Sequence, residues 1–263
     1  MVETDVIHCG ECSEVLATFP DDCIDLTVTS PPYGTLREYN GYVFDFEPIA
    51  RQLYRVTKPG GVVVWVVNDQ TKNGSESLRS FKQVIFFNEL GFNVHDTMIY
   101  KKKHLSFPDK NRYYQGFDYM FVISKGYPLV FNQIKDRKNK TAGRLVEGKD
   151  RNPDGSFRKN KRGGLGRKIG EFGARFNVWE YSNTVRSLEH PAPFPQALAR
   201  DHIISWSNPG DIVLDPFVGS GTTSAEAKKL NRQYIGIDIS AEYCELARRR
   251  IANAKIPLPG MEA

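Results

Sequence analysis

The feature that most constrains the fold of this chain is the alternation of short apolar runs with longer stretches of helical periodicity. Short apolar or β-branched runs bounded by turn signals predict seven strands, at residues 5–9, 24–29, 61–67, 92–100, 119–124, 211–215 and 233–238. Apolar residues recur at helical spacing at residues 46–56, 77–90, 195–205, 222–230 and 241–254. This alternation predicts an α/β fold with a doubly wound, mainly parallel, seven-stranded sheet.

The segment 92–125 departs from the alternation, because two strand patterns follow each other there without a helical pattern between them. A parallel pair needs a crossover connection, usually a helix, whereas consecutive strands without one can pair in antiparallel fashion. We therefore expect an antiparallel pair at one edge of the sheet.

A rigid turn follows the second predicted strand, in the sequence Thr27-Val-Thr-Ser-Pro-Pro-Tyr-Gly34. Neither Pro31 nor Pro32 can donate a backbone hydrogen bond, and each fixes its own φ angle. Pro32 also favours an extended conformation at the residue before it. The turn would hold the hydroxyl of Ser30, the carbonyl of Pro31 and the ring of Tyr33 together. Without another motif, such a turn is more typical of a structural role.

A second motif begins at Asp211-Ile-Val-Leu-Asp-Pro-Phe-Val-Gly-Ser-Gly-Thr-Thr223, where a buried strand pattern leads through a glycine-rich turn into a helix. Glycine lets a ligand approach the backbone closely. A further strand pattern, Tyr234-Ile-Gly-Ile-Asp238, ends in an acid that can accept hydrogen bonds from ribose hydroxyls. The two patterns together predict a site for a nucleoside cofactor.

The glycine-rich turn does not match a nicotinamide dinucleotide site. Such a site uses three glycines, so that a pyrophosphate can meet the helix N-terminus, and no third glycine follows Gly221. The carboxylate of Asp215 would also disfavour an anionic ligand there. S-adenosylmethionine (SAM), an adenosine with a sulfonium and an ammonium group and no phosphate, fits this turn better.

The positive charge of the chain is concentrated in one segment. Residues 133–168 contain 13 Lys or Arg and four Asp or Glu, a net charge of +9. Because the whole chain carries +5, the remaining residues carry −4. Such a segment is either a solvated linker or a surface that binds a polyanion.

The four cysteines, Cys9, Cys12, Cys23 and Cys244, give no disulfide framework. Cys9 and Cys12 form a C-x-x-C pair, but no second pair or His cluster completes a zinc site. We therefore expect no bound metal and a reducing cytoplasmic location. No apolar run approaches the roughly 20 residues that span a bilayer, and no signal peptide is recognisable, so no membrane partner is expected.

Taken together, these motifs resemble those of the amino-methyltransferases that modify the exocyclic nitrogen of cytosine or adenine in DNA. The matching sequences are TSPPYG at 29–34, HPAPFP at 190–195, DPFVGSGTT at 215–223 and IGIDIS at 235–240. The catalytic motif precedes the cofactor motif, which is the circularly permuted order of the beta class. The resemblance implies a Rossmann-like SAM-dependent methyltransferase fold with an inserted basic target-recognition segment.

The same resemblance implies a division of the chain and a set of cofactor contacts. Residues 1–127 would form the catalytic half, 128–185 the target-recognition region and 186–263 the SAM-binding half. Glu11 stands where relatives often have Asp, and Phe194 stands where many have Lys. The implied cofactor-binding residues are Glu11, Phe194, Pro195, Asp215, Phe217, Gly219, Gly221, Thr222, Asp238 and Ile239.

The implied catalytic residues are Ser30, Pro31, Pro32 and Tyr33. An aromatic amine is a poor nucleophile, so two acceptors aimed at its N–H bonds would help to free its lone pair, and the prolines would hold them in place. The target base must be flipped out of the duplex, and Tyr33 can stack on it. No cysteine follows a proline, which argues against methylation of a cytosine ring carbon.

The resemblance favours cytosine N4 as the target, because Ser at position 30 goes mostly with cytosine and Asp with adenine. Adenine N6, an RNA substrate and a catalytically silent nucleic-acid-binding module remain alternatives. Double-stranded DNA is the expected partner, while a homodimer and a cognate restriction endonuclease stay open. Candidate DNA contacts are Lys101–Lys103, Arg144, Arg151, Arg158, Arg162 and Arg167.

Overall fold

The computed structural model describes residues 2–32, 44–103, 110–113, 115–146, 149–159, 166–182 and 195–256. The chain divides into two compact units. The larger consists of Met1–Asn132 with Asn177–Ala263, and the smaller of Gln133–Phe176. The smaller unit lies inside the region 128–185 that the sequence assigns to target recognition.

The larger unit carries the regular α/β structure. Its strands are β1 (Val6–Cys9), β2 (Ile24–Thr29), β3 (Thr57–Val67), β4 (Thr71–Lys72), β5 (Ser75–Glu76), β6 (Asn93–Lys102), β7 (Phe117–Ser124), β12 (Val178–Tyr181), β13 (Ile212–Asp215) and β14 (Gln233–Asp238). Its helices are α1 (Cys12–Ala17), α2 (Phe46–Val56), α3 (Arg79–Glu89), α4 (Gln196–Trp206), α5 (Thr222–Lys229) and α6 (Ala241–Ala252). No helix in the described ranges is long and apolar enough to cross a membrane.

The central sheet has the strand order β1-β14-β13-β2-β3-β7-β6-β12. The first five strands run parallel, β7 is antiparallel to both β3 and β6, and β12 is parallel to β6. The predicted mainly parallel α/β fold is therefore confirmed, as is the antiparallel pair, β6 with β7. The predicted count of seven strands is wrong by one, because β12 adds an eighth strand beyond β6.

Helices cover the two faces of the sheet in separate layers. Side chains of α1, α2 and α3 pack into one apolar cluster around Trp65 and Phe87, which are both fully buried. Helices α5 and α6 form a second cluster with β1, in which Val218 packs near Ala247. The strands β2 and β13 are neighbours in the sheet. From β2 the chain continues to β3 on one side, whereas from β13 it continues to β14 on the other side. Ligands bind at the carboxyl ends of strands at such a reversal point.

Among its described residues, the smaller unit contains two antiparallel ribbons, each of two short strands. β8 (Arg137–Lys138) pairs with β11 (Phe172–Gly173), and β9 (Lys149–Arg151) pairs with β10 (Phe157–Lys159). The β9–β10 turn is closed by a hydrogen bond of 2.8 Å from the Asn152 N–H to the Ser156 carbonyl. These ribbons give regular backbone structure to the parts of the basic segment that the structure describes.

Candidate active site

Asp215 ends β13 and lies almost fully buried at the reversal point of the sheet. The hydroxyl of Thr29, the last residue of β2, donates a hydrogen bond of 2.7 Å to Asp215 Oδ1. The Phe217 N–H donates a second bond of 3.1 Å to the same oxygen. The double-proline turn begins with the next residue, Ser30. The Thr29 bond therefore joins the start of one predicted motif to the other, across 186 positions of sequence.

The electrostatic state of Asp215 is set by its burial. Desolvation raises the pKa of this carboxyl to about 6, against the opposing hydrogen bonds from Thr29, Thr223 and the Phe217 N–H. The negative charge of Asp238 raises the pKa further. A cationic ligand beside Asp215 would favour the ionised form.

Asp238, at the end of β14, organises the glycine-rich turn through backbone hydrogen bonds. Its Oδ2 accepts from the Gly219 N–H at 3.0 Å, and its Oδ1 accepts from the Ser240 N–H at 2.9 Å. Burial raises the pKa of this carboxyl, and those backbone N–H groups lower it in part. Each carboxylate oxygen still has acceptor capacity for a ribose hydroxyl.

Gly221 is required by helix packing. It caps α5 with a φ of 78°, and a Cβ atom there would lie 2.8 Å from the Ala247 Cα of α6. The next residue, Thr222, is buried and accepts a hydrogen bond of 2.9 Å from Arg250 Nη1. Arg250, which the sequence pattern did not single out, also donates to the Ser220 hydroxyl at 2.8 Å. Helix α6 thus supports the glycine-rich turn.

Glu11 caps helix α1 and lies at the same end of the sheet as Asp238. Its Oε2 accepts from the Ser13 hydroxyl at 2.5 Å and from the Glu14 N–H at 2.9 Å. Partial burial works to raise its pKa, but these bonds outweigh burial and the pKa is lowered. The neighbouring Gly10 N–H donates to the Asp238 carbonyl at 2.9 Å. Helix α1 is too short for its periodicity to be recognised in the sequence.

Three carboxylates gather around the start of α1. Burial raises the pKa of the Cys12 thiol well above its usual range, and the charges of Glu11, Asp215 and Asp238 raise it further. A cluster of carboxylates at strand ends suits a ligand that carries positive charge and hydroxyl groups. The residues present therefore fit SAM, with its sulfonium, its ammonium group and its ribose.

The remaining predicted site residues are described only in part. Pro31 is buried and Pro32 half-buried, whereas Tyr33 and Phe194 lie outside the described residues. The Pro195 carbonyl accepts from the first turn of α4. Two other predicted residues of the cofactor site, Phe217 and Ile239, are half-buried. The Phe217 ring packs 6.2 Å from that of Trp65.

Three of the predicted DNA-contacting arginines are exposed on the smaller unit. Arg144 and Arg167 lie beside an antiparallel bridge between Leu145 and Lys168, and Arg158 lies opposite Asp150 in the β9–β10 ribbon. Arg162 lies outside the described residues, and Arg151 is placed only by its backbone.

The segment Lys101–Lys103 contributes less net positive charge to the surface than its sequence indicates, because two of its lysines form ion pairs. Lys101 pairs with Glu180 at 2.7 Å, and Lys102 pairs with Asp118 at 2.7 Å. These pairs depend on the register of β6 with β7 and β12, which composition does not reveal.

An open α/β sheet with a glycine-rich turn, strand-end carboxylates and an adjacent double proline defines a Rossmann-like methyltransferase. The chain belongs to the N6/N4 family of DNA methylases, whose pattern matches residues 24–249. DNA is the substrate of this family, and SAM is its methyl donor. The predicted family, fold class and methyl donor are therefore confirmed.

The chain is 55% identical over 242 residues to the orphan methyltransferase M.BamHII of Bacillus amyloliquefaciens, covering 88% of this chain and 90% of that one. It is 28% identical to the DNA adenine methyltransferase YhdJ of Escherichia coli, covering 94% and 82%. Its fold matches that of a DNA modification methylase from Thermus thermophilus, solved with SAM, at a TM-score of 0.64 and 26% identity, covering 96% and 94%.

Proposed function

We propose that this protein is a site-specific methyltransferase that transfers a methyl group from SAM to N4 of cytosine in double-stranded DNA. The observation that carries the proposal is the hydrogen bond from Thr29 to Asp215. This bond supports the proposal because Thr29 directly precedes Ser30 of the double-proline turn, and Asp215 is the proposed cofactor carboxylate. A methyl donor held beside Asp215 is then near acceptors that can activate an amine.

The cofactor contacts proposed here are those that the family resemblance implies, and the cluster of Glu11, Asp215 and Asp238 around the start of α1 supports them. Asp215 faces the ammonium side of the donor, and the backbones of Phe217 and Gly219 line the same side. Asp238 accepts from the ribose hydroxyls, with Ile239 against the adenine. The remaining members of the proposed cofactor site are Glu11, Phe194, Pro195, Gly221 and Thr222, the last two through the shape of the turn that α6 supports.

The chain prepares the target amine as a nucleophile. The Ser30 hydroxyl and the Pro31 carbonyl accept hydrogen bonds from the two N–H groups of the target amine, which weakens delocalisation of the nitrogen lone pair into the ring. Pro32 fixes the turn, and Tyr33 stacks on the base. SAM supplies the electrophilic methyl group. In the proposed reaction the amine would attack that methyl in line, the methyl–sulfur electron pair would stay on sulfur to leave S-adenosylhomocysteine, and the nitrogen would release one proton to solvent.

Ser30 is the reason for preferring cytosine N4 over adenine N6. Among proteins that this chain resembles, Ser at this position goes mostly with cytosine and Asp mostly with adenine. Adenine N6 is the alternative, since YhdJ, an adenine methyltransferase, is similar along most of the chain.

Target recognition is proposed for region 128–185, between a catalytic half at 1–127 and a SAM-binding half at 186–263. The support is the net charge of +9 on residues 133–168, part of which lies on short two-stranded ribbons of the kind that fits a DNA groove. The proposed DNA contacts are Arg144, Arg151, Arg158, Arg162 and Arg167.

The test is expression in a host that lacks DNA methylation, followed by single-molecule sequencing and mass spectrometry of the nucleosides. We expect N4-methylcytosine in one short sequence context. Ser30→Ala should lower the turnover rate at least tenfold, whereas Ser75→Ala, at an exposed serine on β5, should not. N6-methyladenine instead would select the alternative, and no modified base would refute both.

A further inference from the structure

Tyr113 is a tyrosine whose ring is almost completely uncovered, at 97% exposed. It lies in the connection that joins the end of β6 to the start of β7. Strand β7 is antiparallel to both of its neighbours, β3 and β6. The connection therefore lies at the edge of the sheet where β2 and β3 also end, which is the edge of the candidate active site.

The residue before Tyr113 is fixed to the β4–β5 hairpin, which follows β3 in the chain. Arg112 Nη1 donates a hydrogen bond to the Thr71 hydroxyl and lies 3.9 Å from Glu76 Oε1. Thr71 and Glu76 pair with each other across the hairpin. Arg112 therefore holds the connection to both strands of the hairpin.

A second anchor lies two residues after Tyr113. Gln115 Nε2 donates a hydrogen bond to Asn68 Oδ1, and Asn68 Nδ2 donates at 2.5 Å to Oδ1 of the buried Asp118. Asn68 directly follows β3, the neighbour of β2 in the sheet. Two residues of chain span at most about 7 Å, so Tyr113 stays close to the end of β3. It is thus fixed on both sides, near the strand that leads into the double-proline turn.

Exposed cations lie in the same connection. Lys103 directly follows β6, and Lys110 lies three positions before Tyr113. The ion pairs formed within the described part of the chain involve neither lysine. Cations that meet phosphates, together with a ring on which bases stack, are the usual elements of a nucleic-acid contact. The connection therefore fits DNA, although it lies outside the basic segment 133–168.

We propose that Tyr113 stacks on the DNA bases that the flipped target leaves behind, and so fills part of the gap in the duplex. The inference rests on the proposed function, which requires the target base to leave the stack. The bases beside the gap lose a stacking partner, and an inserted side chain replaces it. Tyr33 stacks on the flipped base in the proposed reaction, so the two rings would contact different bases.

The two anchors explain how a single exposed ring can contribute to binding. A residue on an unsupported loop loses backbone and side-chain freedom when it binds, and this loss weakens binding. Arg112 and Gln115 hold the backbone on either side of Tyr113 before DNA arrives. The ring then has only two χ angles to order, which is a small cost for its contact area.

The experiment uses the full chain with SAM and a duplex oligonucleotide that carries the sequence context methylated by the wild-type chain. Tyr113→Ala should lower kcat/KM at least fivefold, the lower end of what stacking on one base contributes. A second duplex carries 2-aminopurine in place of the target base, and its fluorescence rises when that base leaves the stack. This rise should be smaller with Tyr113→Ala than with the wild type.

Two variants serve as controls. Tyr113→Phe keeps the ring and should match the wild type in both kcat/KM and fluorescence. Tyr127→Ala removes a tyrosine that is 83% exposed but lies beyond the opposite end of β7, and it should have no effect.

Two results would overturn the proposal: a Tyr113→Ala variant with wild-type kcat/KM and fluorescence, or a Tyr113→Phe variant as impaired as Tyr113→Ala. Circular dichroism and titration with SAM separate misfolding from loss of stacking, because Tyr113 belongs to neither the proposed catalytic nor the proposed cofactor set. Methyl transfer by the wild-type chain reports separately on the proposed function.

Discussion

Replacing Thr29 with Val removes the hydroxyl that links the two motifs while keeping the shape of the side chain. The bond to Asp215 measures 2.7 Å and is buried. A hydrogen bond to a charged group contributes about 1.5–3 kcal/mol, which corresponds to about one to two pKa units. The pKa of Asp215, about 6 with the bond in place, should therefore rise further in Thr29→Val.

The consequence is a change in how SAM affinity depends on pH. If the donor binds the ionised form of Asp215, wild-type affinity falls as the pH drops through about 6, where the carboxyl takes up a proton. In Thr29→Val this fall should begin at a higher pH. The shift predicts about two- to tenfold weaker binding at pH 7 and near-normal binding at pH 9. Isothermal titration with SAM across this pH range measures the effect directly.

Thr27, two residues before Thr29 on β2, supplies a matched control. Thr27 is fully buried on the same strand, and its hydroxyl has no hydrogen-bond partner within the described residues. Thr27→Val should therefore leave the pH profile unchanged, and Thr29→Ser should restore the wild-type profile. Equal pH profiles for the two valine variants would refute the assigned role of Thr29. So would a loss in Thr29→Val that persists unchanged at pH 9.

Two further predictions concern stability and are read from unfolding in denaturant. Gly221→Ala should lower the free energy of unfolding by about 3 kcal/mol, because the new Cβ would meet the α6 backbone at a positive φ. Gly210→Ala is the control: its φ is also positive but the space around it is open, so the loss should be about 1 kcal/mol. Equal losses in the two variants would contradict the packing role of Gly221. Lys102→Met should lower the free energy of unfolding by about 2–3 kcal/mol at pH 7.5, because it removes the opposite charge beside the buried Asp118. Burial already raises the pKa of Asp118, against the opposing charge of Lys102. Removing that charge raises the pKa further, so the cost should shrink at pH 5; a pH-independent loss would contradict this reasoning.

The parts of the fold that sequence predicted well are those with strong local patterns. Strands at 24–29 and 233–238 and the helix at 46–56 have the predicted bounds, because their apolar runs are continuous or periodic. Strand β12 was not recognised, since its four residues acquire strand structure by pairing with β6. Such a pairing is a tertiary contact that a local pattern does not encode.

In the candidate site, residues within sequence motifs could likewise be predicted, whereas roles that depend on contacts between distant elements could not. Ser30, Asp215 and Asp238 were recognisable because their neighbours form motifs. The role of Thr29 was not, since a β-branched residue at a strand end is ordinary until its cross-strand partner is known. The support of the glycine-rich turn by Arg250 likewise depends on how α6 packs.

The geometry also explains why the order of the two motifs along the chain need not matter to the chemistry. Every parallel strand of the sheet delivers its carboxyl end to the same edge. The strand before the double proline lies beside the strand before the glycine-rich turn, although 186 positions separate Thr29 from Asp215. A catalytic loop and a cofactor loop meet whenever their strands are neighbours, whichever is synthesised first. The proposed methyl transfer therefore requires β2 and β13 to be adjacent, and the buried Thr29 bond links the ends of these paired strands.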